Sequence, residues 1–558
     1  MISFGLLLGI FAYSIFFIGL MGLLYNPVLL FVTLVFAGVL VVIERNKIIR
    51  SLKKFSSLIN NRQNPFIYVL VILFILQALI NLIGALGPEI GFDALWYHLT
   101  LPKLYLLHHA VYHVPGGLLH YSDMPKLIDM LFVPALAFGN EVTAKLIEYI
   151  LGILAVIVLY KLSQKMMTAK YSLIAVLIFY TNLVVGWEST SAYIDLGRAF
   201  FEILALYSFM LWYETKQMKN LIVSAVFVGF ATGTKLLGLG SLAIFLILIA
   251  GMHMNWNSVR VNVRSVLTKF KHSTVNLLPS FLIYLFIGLL IPLPWFIYAY
   301  IHTGNPVYPF FGNDYSVHIS AITLLNPLFF IQSMLSIFLF SPDPTSPLYL
   351  IFSPAIVILF PHFSSKIRLI GYYSILALII WYITPQTGGG RFIIPYLPAF
   401  SLLCAVSLEQ LNQKKTKLLF YTSLGAVLFV ALISVGYRLA ANAKYVPFVL
   451  GNETKKEFLA NHLNFHFGDF ADIDDYFANH INPNDTVLLV GFHNLYYVDF
   501  PFIDSSWVKK RDRFNYIAVQ NAQLPERFKH WQLVYKNDKT LVKLYKPPKG
   551  ECDQLCLY

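Results

Sequence analysis

Charged residues and cysteines are both scarce in this sequence. Asp, Glu, Lys and Arg make up only 12% of its 558 residues, about half the share in an average soluble protein, whereas 58% are apolar. This composition excludes an ordinary soluble enzyme. The three cysteines, Cys404, Cys552 and Cys556, cannot build a disulfide framework, and they lack the paired CxxC spacing of zinc and iron–sulfur sites.

The formal net charge is +13. Where the excess of Lys and Arg lies along the chain indicates which kind of partner or orientation this charge reflects. Residues 441–558 contain 14 basic and 14 acidic side chains, so the whole surplus lies in residues 1–440. There, Lys and Arg gather in short segments between apolar runs, at 45–62, 161–170, 216–219, 260–271, 366–368 and 414–417. The positive-inside rule assigns such segments to the cytoplasm. The basic charge therefore reflects membrane orientation, and no nucleic-acid partner is expected.

Apolar runs long enough to cross a bilayer recur along the first 440 residues. They predict thirteen spans, at 2–24, 27–43, 66–87, 141–160, 171–186, 199–214, 220–234, 236–251, 275–300, 347–360, 368–384, 392–408 and 417–437. Two shorter runs, 127–139 and 326–340, adjoin or contain prolines and would break this parity, so we expect re-entrant or interfacial helices there. No cleavable signal peptide is evident, because the first run lacks a basic start.

The predicted fold is therefore mainly α, a polytopic membrane domain over 1–440 followed by a small α/β domain over 441–558. An odd number of spans from a cytoplasmic N-terminus places this second domain outside the cell. Within it, the patterns predict helices at 453–463 and 469–481, strands at 486–491 and 515–519, and a hairpin around 531–545.

The predicted outer loops collect acids, histidines and aromatics, and ionisable groups near a bilayer are costly and rarely without function. In loop 88–126, residues 93–107 are amphipathic enough for a surface helix. Asp93 and Tyr97 share one face of it, whereas His98 is turned about 140° away, so Asp93 and His98 form no obvious dyad. Asp93 is either the N-cap of that helix or a general base.

Three further residues each leave two interpretations open. Asp195 is either a helix-start acid favoured by the macrodipole or a functional carboxylate. Lys235, in ATGTKLLGL, either snorkels to the surface or binds an anion. Arg391, after three glycines, is either an interfacial anchor or a bidentate ligand of a lipid phosphate.

Histidines are frequent in loop 88–126, but they predict no metal site. His108, His109, His113 and His120 do not share one helical face, because Pro115 interrupts the segment. Solvated histidines at the membrane surface are the simpler interpretation.

Several motifs resemble those of the GT-C superfamily of polytopic glycosyltransferases, relatives of the protein mannosyltransferases and the lipid A aminoarabinose transferases. They are GFDALWYHLTLPK, SAYIDLGRAFF, ATGTKLLGL, PWFIYAYIHTGNPVYPFF, GGGRFIIPYLP and VLGNETKKEFLANHL, between about 85 and 500. The resemblance implies transfer of a hexosyl or pentosyl group from a polyprenyl-phosphate donor, usually with inversion, to an acceptor at the outer face of the membrane. The acceptor is a glycan, a lipid or a protein, and membrane lipids are the other expected partners.

The resemblance also assigns roles to residues. It implies that Asp93 is the base or acceptor-binding acid, that Asp195 is the second-loop acid, and that Arg391 or Lys235 faces the phosphate. Many members carry two adjacent acids in the first loop, whereas here Asp93 stands between Phe92 and Ala94. A two-carboxylate mechanism and a divalent cation are therefore left open. The expected site comprises catalytic and substrate-binding residues, namely Asp93 and Asp195, and then Arg391, Lys235, His98, Tyr97 and Glu89.

Other functions compete with this one. A transporter or flippase of lipid-linked sugars predicts charges within the spans and an internal repeat, and the sequence shows few of the former and none of the latter. A scaffold without catalysis does not explain the clustering of acids and histidines in the outer loops. An oligosaccharide ligase or polymerase would use the same architecture to move a whole glycan.

The predicted topology can be tested by labelling. A single cysteine placed at an exposed position of 441–551, in a variant without the native cysteines, should react with a membrane-impermeant maleimide in intact cells. The reason is that thirteen crossings from a cytoplasmic N-terminus end outside. Protection of every such position until the membrane is permeabilised would contradict the topology.

Overall fold

The computed structural model describes residues 1–59, 65–253, 278–312, 320–340, 344–384, 388–414, 416–548 and 556–557. Helices account for most of these residues. They are α1 (Ile2–Leu20), α2 (Asn26–Ile59), α3 (Pro65–Ala85), α4 (Thr100–His108), α5 (Asp129–Phe138), α6 (Glu141–Ser163), α7 (Ala169–Tyr180), α8 (Leu183–Glu188), α9 (Asp195–Thr215), α10 (Met218–Thr234), α11 (Gly238–His253), α12 (Leu278–Leu290), α13 (Leu293–Thr303), α14 (Ala321–Leu324), α15 (Pro327–Leu335), α16 (Leu348–Leu359), α17 (Ser365–Ile383), α18 (Leu397–Gln413), α19 (Lys417–Asn442), α20 (Val446–Val449), α21 (Lys455–His462) and α22 (Tyr476–His480). The protein is thus a polytopic helical membrane protein with a small C-terminal sheet, as the sequence predicts.

Each of the thirteen predicted spans contains a helix, but 171–186 is divided between α7 and α8 and 275–300 between α12 and α13, with 275–277 outside the described residues. Among the described residues, seven helices are long and apolar enough to cross a membrane, and the bent pair α12–α13 would be an eighth. The predicted span 275–300 is bent by 53° where α12 gives way to α13, next to Pro292 and Pro294, whose rings cannot continue a regular helix. The number of crossings stays a prediction.

Helix α9 lies at the centre of the bundle and is buried along most of its length. Its start is fixed by Glu148 of α6, whose carboxylate accepts the backbone N–H groups of Leu196 at 3.1 Å and of Gly197 at 3.2 Å. A carboxylate at a helix N-terminus satisfies otherwise unpaired N–H groups and the positive end of the dipole. A Cβ on Gly197 would lie 2.8 Å from Glu148 Oε1, so this close approach requires glycine.

Two expectations for the region after α3 have different outcomes. Residues 93–107 do not form a surface helix, because a π-helical turn (Ala94–His98) and then α4 are packed on several sides, with Leu95, Leu99 and Tyr105 fully buried. The run 127–139 contains α5, whose residues 129–135 are buried by protein, and its placement as a re-entrant or interfacial helix stays a prediction.

The C-terminal domain contains a five-stranded sheet in the order β2-β1-β4-β6-β5. Its strands are β1 (Val487–Val490), β2 (Phe502–Asp504), β4 (Tyr516–Gln520), β5 (Gln532–Asn537) and β6 (Val542–Lys546), with a separate pair formed by β3 (Arg513–Phe514) and β7 (Cys556–Leu557). Strands β2, β1 and β4 are parallel, whereas β6 is antiparallel to both β4 and β5. The predicted strands and hairpin are confirmed, and β2 was not predicted.

The two helices predicted in this domain have different outcomes. Helix α21 matches 453–463 and begins with a capping box, in which Thr454 Oγ1 and the Glu457 carboxylate each accept the other residue's backbone N–H. The prediction of a helix over 469–481 is wrong for 469–475, since only α22 is helical. Residues 469–475 form a loop instead, in which Asp472 accepts the backbone N–H of Ala478 at 2.8 Å.

The C-terminal domain docks on the first predicted outer loop through charged hydrogen bonds. Lys103 Nζ donates to Tyr496 O at 2.7 Å and to Val498 O at 2.8 Å, and it pairs with Asp499 at 2.6 Å. Tyr497 Oη donates to the carbonyl of Glu89 at 2.8 Å. The domain is therefore joined to the segment that carries Asp93.

Candidate active site

A cavity of about 250 Å³ lies where the first predicted outer loop meets the ends of several helices. Its walls come from residues 93–129, from 194, from 234–237 at the end of α10, from 309–310 and from 388–392. Three of the predicted site residues that carry a charge line it: Asp93, Lys235 and Arg391. Segments that are far apart in sequence thus meet at one place.

Asp93 and Arg391 form a salt bridge at the wall of this cavity. Arg391 Nη1 donates to Asp93 Oδ2 at 2.7 Å, and both side chains are mostly buried, with exposed fractions of 14% and 18%. The guanidinium lies 4.9 Å from the ring centre of Tyr193 and 5.8 Å from that of Trp187. Its buried Nε has no hydrogen-bond partner among the described residues. The candidate base and the candidate phosphate ligand are therefore each other's partners.

The carboxylate of Asp93 does not cap a helix. It receives the Tyr97 hydroxyl at 3.3 Å in addition to Arg391, and no cap bond is formed with the following turn. This confirms that Asp93 and Tyr97 share a face. Burial and the neighbouring Asp93 charge raise the pKa of Tyr97 well above its usual value, so this hydroxyl stays a donor.

Lys235 is paired with Asp195 and does not snorkel. Its Nζ donates to Asp195 Oδ1 at 2.8 Å and lies 4.5 Å from the ring centre of Phe392. Asp195 is fully buried at the first position of α9 and does not line the cavity, whereas Lys235 is 20% exposed and does. This arrangement favours a role for Asp195 in positioning Lys235 over direct contact with a substrate.

Lys126 is a cavity residue that was not predicted from the sequence. It is almost fully buried, lies 3.9 Å from Asp129 Oδ2 and faces the Tyr97 ring at 5.2 Å. Burial lowers the pKa of this lysine. One feature of the sequence could have identified Lys126. It lies in a predicted outer loop, where the positive-inside rule makes lysine less common.

The other predicted binding residues have separate outcomes. His98 lines the cavity, but its Nδ1 is hydrogen-bonded to Asp129 at 2.7 Å. Glu89 does not line the cavity, and its role as a substrate ligand stays a prediction. Its carboxylate accepts N–H groups of Ile90, Gly91 and Ala192 at 2.5–2.8 Å and the Ser191 hydroxyl at 3.1 Å. These bonds saturate Glu89 and tie the first two predicted outer loops together.

The remaining histidines of the first loop are distributed over several places. His108 and His109 are exposed at the end of α4. His113 donates to Asp123 at 2.9 Å and stacks on His302 with ring centres 5.0 Å apart. In the part of the chain that the structure describes, no three His, Cys, Asp or Glu side chains converge on a point where a metal ion could bind.

Removal of the Lys235 side-chain charge should show how much its ion pair with Asp195 contributes to the stability of the fold. Lys235→Met leaves a buried carboxylate unpaired, which typically costs about 3–5 kcal/mol. We therefore expect a clearly lower thermal unfolding midpoint in detergent, with partial recovery in Lys235→Met/Asp195→Asn, which removes both charges. The control Lys366→Met breaks a more exposed pair with Glu214 and should change the midpoint little. A double variant as unstable as the single one would contradict this.

Comparison with known proteins agrees with this architecture. The family described as dolichyl-phosphate-mannose-protein mannosyltransferase matches residues 123–304. The ArnT structure from Cupriavidus metallidurans bound to undecaprenyl phosphate superimposes with a TM-score of 0.57 at 14% identity, covering 86% of this chain and 98% of that one. Its apo form gives 0.54 at 13% identity, covering 85% and 97%.

A more distant similarity is found to the oligosaccharyltransferase AglB from Archaeoglobus fulgidus, with a TM-score of 0.46 at 13% identity, covering 81% of this chain and 69% of that one. No curated protein sequence matches. The chain therefore has the fold of the ArnT structure, and residues 123–304 match the mannosyltransferase family, in agreement with the resemblance of its motifs.

Proposed function

We propose that this protein is a glycosyltransferase that moves a hexosyl or pentosyl group from a polyprenyl phosphate to an acceptor hydroxyl at the outer face of the membrane. The observation that carries the proposal is the pairing of Asp93 with Arg391 beside Lys235 in one cavity. A sugar phosphate donor needs cations for its phosphate, and transfer to a hydroxyl needs a base for the proton. This cavity offers both within one wall.

The phosphate side of the cavity comprises Arg391, Lys235 and Lys126. A guanidinium can bind a phosphate with two parallel hydrogen bonds, and Arg391 still has an unpaired Nε for this purpose. Within the part of the chain that the structure describes, the salt bridge of Lys126 is the long one to Asp129 Oδ2, at 3.9 Å. The ligand in the ArnT structure is undecaprenyl phosphate, which is the kind of carrier that this site would take.

Asp93 is the candidate base. In the proposed step, the acceptor oxygen forms a bond to the anomeric carbon while its proton passes to the Asp93 carboxylate. The bond between that carbon and the phosphate oxygen breaks, and its electron pair leaves on the polyprenyl phosphate. The attack comes from the face opposite the phosphate, which gives inversion. Because the phosphate is a good leaving group, a carboxylate of ordinary basicity suffices.

The ion pair must loosen for this step. While the pair is closed, Arg391 and Tyr97 both donate to Oδ2 of the Asp93 carboxylate and occupy it. A bound phosphate supplies a second anion for Arg391, so the guanidinium stays paired as it turns from Asp93 to the donor. Donor binding would thereby free the base only when a sugar is present.

Asp93→Asn should keep the protein folded and abolish most transfer. The amide can still accept the Arg391 and Tyr97 hydrogen bonds, but it cannot take a proton, and loss of a general base typically costs about 10²- to 10⁴-fold. The assay is transfer of label from a panel of radiolabelled polyprenyl-phosphate sugars in membranes, with and without chelator. Asp475→Asn, in the C-terminal domain, is the matched control. Wild-type turnover in Asp93→Asn would contradict the assignment.

Arg391→Lys should weaken donor binding specifically. Lysine keeps the charge but loses the two-pronged contact, and a charge-assisted hydrogen bond is worth roughly 1.5–3 kcal/mol. We expect an apparent donor KM about tenfold higher or more, with little change in acceptor KM, and a larger effect for Arg391→Ala. Arg511→Lys, at an exposed arginine, should match the wild type. If only the acceptor KM rises, Arg391 belongs to the acceptor side.

A further inference from the structure

The C-terminal domain presents a particular edge of its sheet to the first predicted outer loop. Strands β2 and β4 lie on opposite sides of β1, so the chain reverses its direction across the sheet between β1 and β4. In open sheets of parallel strands, ligands bind outside the carboxyl ends at such a reversal. Here, the loop that follows β1, residues 491–499, leaves from this point and lies against the segment that carries Asp93.

The path of this loop is set by Gly491. Its φ is +80°, and a Cβ there would lie 2.1 Å from the carbonyl oxygen of Gln520, so no other residue fits without a shift of the backbone. The next turn is held by His493, whose N–H donates to Gly468 O at 3.2 Å and whose Nδ1–H donates to Asn494 Oδ1 at 3.0 Å. These two hydrogen bonds fix the orientation of the imidazole.

His493 reaches out of its own domain and packs on two aromatic rings of the first loop. Its ring lies 4.8 Å from that of Phe92, nearly parallel at 27°, and 4.3 Å from that of Trp96. Trp96 is held in place by donation from Nε1 to Leu118 O at 2.8 Å, and its edge meets Tyr121 at 4.9 Å. Tyr121 lines the cavity, so the aromatic surface continues from the C-terminal domain to the reaction centre.

Phe92 is the exposed part of this surface. Its side chain is 38% exposed although it immediately precedes Asp93 and is stacked on His493. Contact with a substrate would explain why such a large apolar ring stays exposed to solvent beside a candidate base. We call Phe92, Trp96 and His493 the aromatic platform.

We propose that the aromatic platform binds a sugar ring of the acceptor, so that the acceptor is a glycan or a glycan-bearing lipid. This inference rests on the proposed function. The C–H groups on one face of a pyranose carry partial positive charge and suit the negative face of an aromatic ring, and Phe92 directly precedes the candidate base Asp93 in the chain. The candidate ligands of the donor phosphate, Arg391, Lys235 and Lys126, line the cavity, whereas the platform residues lie beside it, so the platform suits the acceptor better than the donor phosphate.

The first experiment separates acceptor binding from donor binding. The acceptor is titrated as envelope extract from cells lacking the enzyme, with the radiolabelled polyprenyl-phosphate sugar that the wild type uses. Phe92→Leu and His493→Leu should each raise the apparent acceptor KM about two- to tenfold and leave the donor KM unchanged. Phe92→Tyr and His493→Phe keep the stacked rings and should retain the wild-type acceptor KM.

A matched control is Tyr476→Leu, which breaks an exposed stack with Tyr535 elsewhere in the C-terminal domain and should change neither constant. Thermal unfolding midpoints identify any variant that fails to fold. In that case the acceptor KM values of Phe92→Tyr and His493→Phe, which keep the stacked rings, decide the result. If folded Phe92→Leu and His493→Leu keep the wild-type acceptor KM, the proposed role of the aromatic platform is wrong, and the proposed glycosyl transfer is unaffected.

The second experiment identifies the chemical class of the acceptor. Label transferred by the wild type should survive digestion with proteinase K and should be released by acid hydrolysis together with other sugars. Label recovered in peptides, or on a lipid with no other sugar, would overturn the inference while leaving the proposed glycosyl transfer intact. Absence of any transfer by the wild type would instead overturn the proposed function and this inference with it.

Discussion

Charges inside an apolar bundle have to be paired, and helix α9 is where this constraint is most severe. Asp195, Arg198 and Glu202 are all buried along its first two turns. Asp195 is paired with Lys235, Arg198 donates to the Tyr396 hydroxyl at 3.0 Å and lies 3.5 Å from Glu202, and the start of the helix is satisfied by Glu148. An unpaired charge in such surroundings costs several kcal/mol. These pairings therefore determine where α9 begins and where Lys235 points.

The candidate site follows from the same constraint. Two ion pairs, Asp93 with Arg391 and Asp195 with Lys235, neutralise the charges of the candidate site. Only one of the two carboxylates is accessible, since Asp195 is enclosed behind Lys235 whereas Asp93 faces the cavity. The two acids therefore differ in burial, which suits one for positioning and the other for proton transfer. An incoming phosphate would exchange one anion for another without leaving Arg391 unpaired.

The C-terminal domain is part of this arrangement. Lys103, ten residues after Asp93, is tied to the loop after β1 by three hydrogen bonds, and Glu89, four residues before Asp93, is tied to the second loop and to Tyr497. The segment with the candidate base is thus held at both ends by contacts from other parts of the fold. A carboxylate that must meet a hydroxyl within hydrogen-bond distance benefits from such fixation.

The sequence by itself determined which segments are helices or strands and which residue types could carry the chemistry. Apolar runs located helices within every predicted span, the Thr454–Glu457 pair marked the start of α21, and short apolar runs marked β1, β4 and the hairpin, because these signals are local. The outer-loop motifs also singled out Asp93, Lys235 and Arg391, all of which line the cavity.

Only the tertiary structure decided how these residues combine. Asp93 and Arg391 are 298 positions apart, and no local pattern can pair them. In the folded protein Lys126 lines the cavity, whereas Glu89 does not. The burial of both residues depends on loops and helices that are remote in sequence. The contact of His493 with Phe92 likewise arises between two domains. Hydrophobic periodicity specifies the elements, whereas the partner of each buried charge is set by the three-dimensional packing that brings distant elements together.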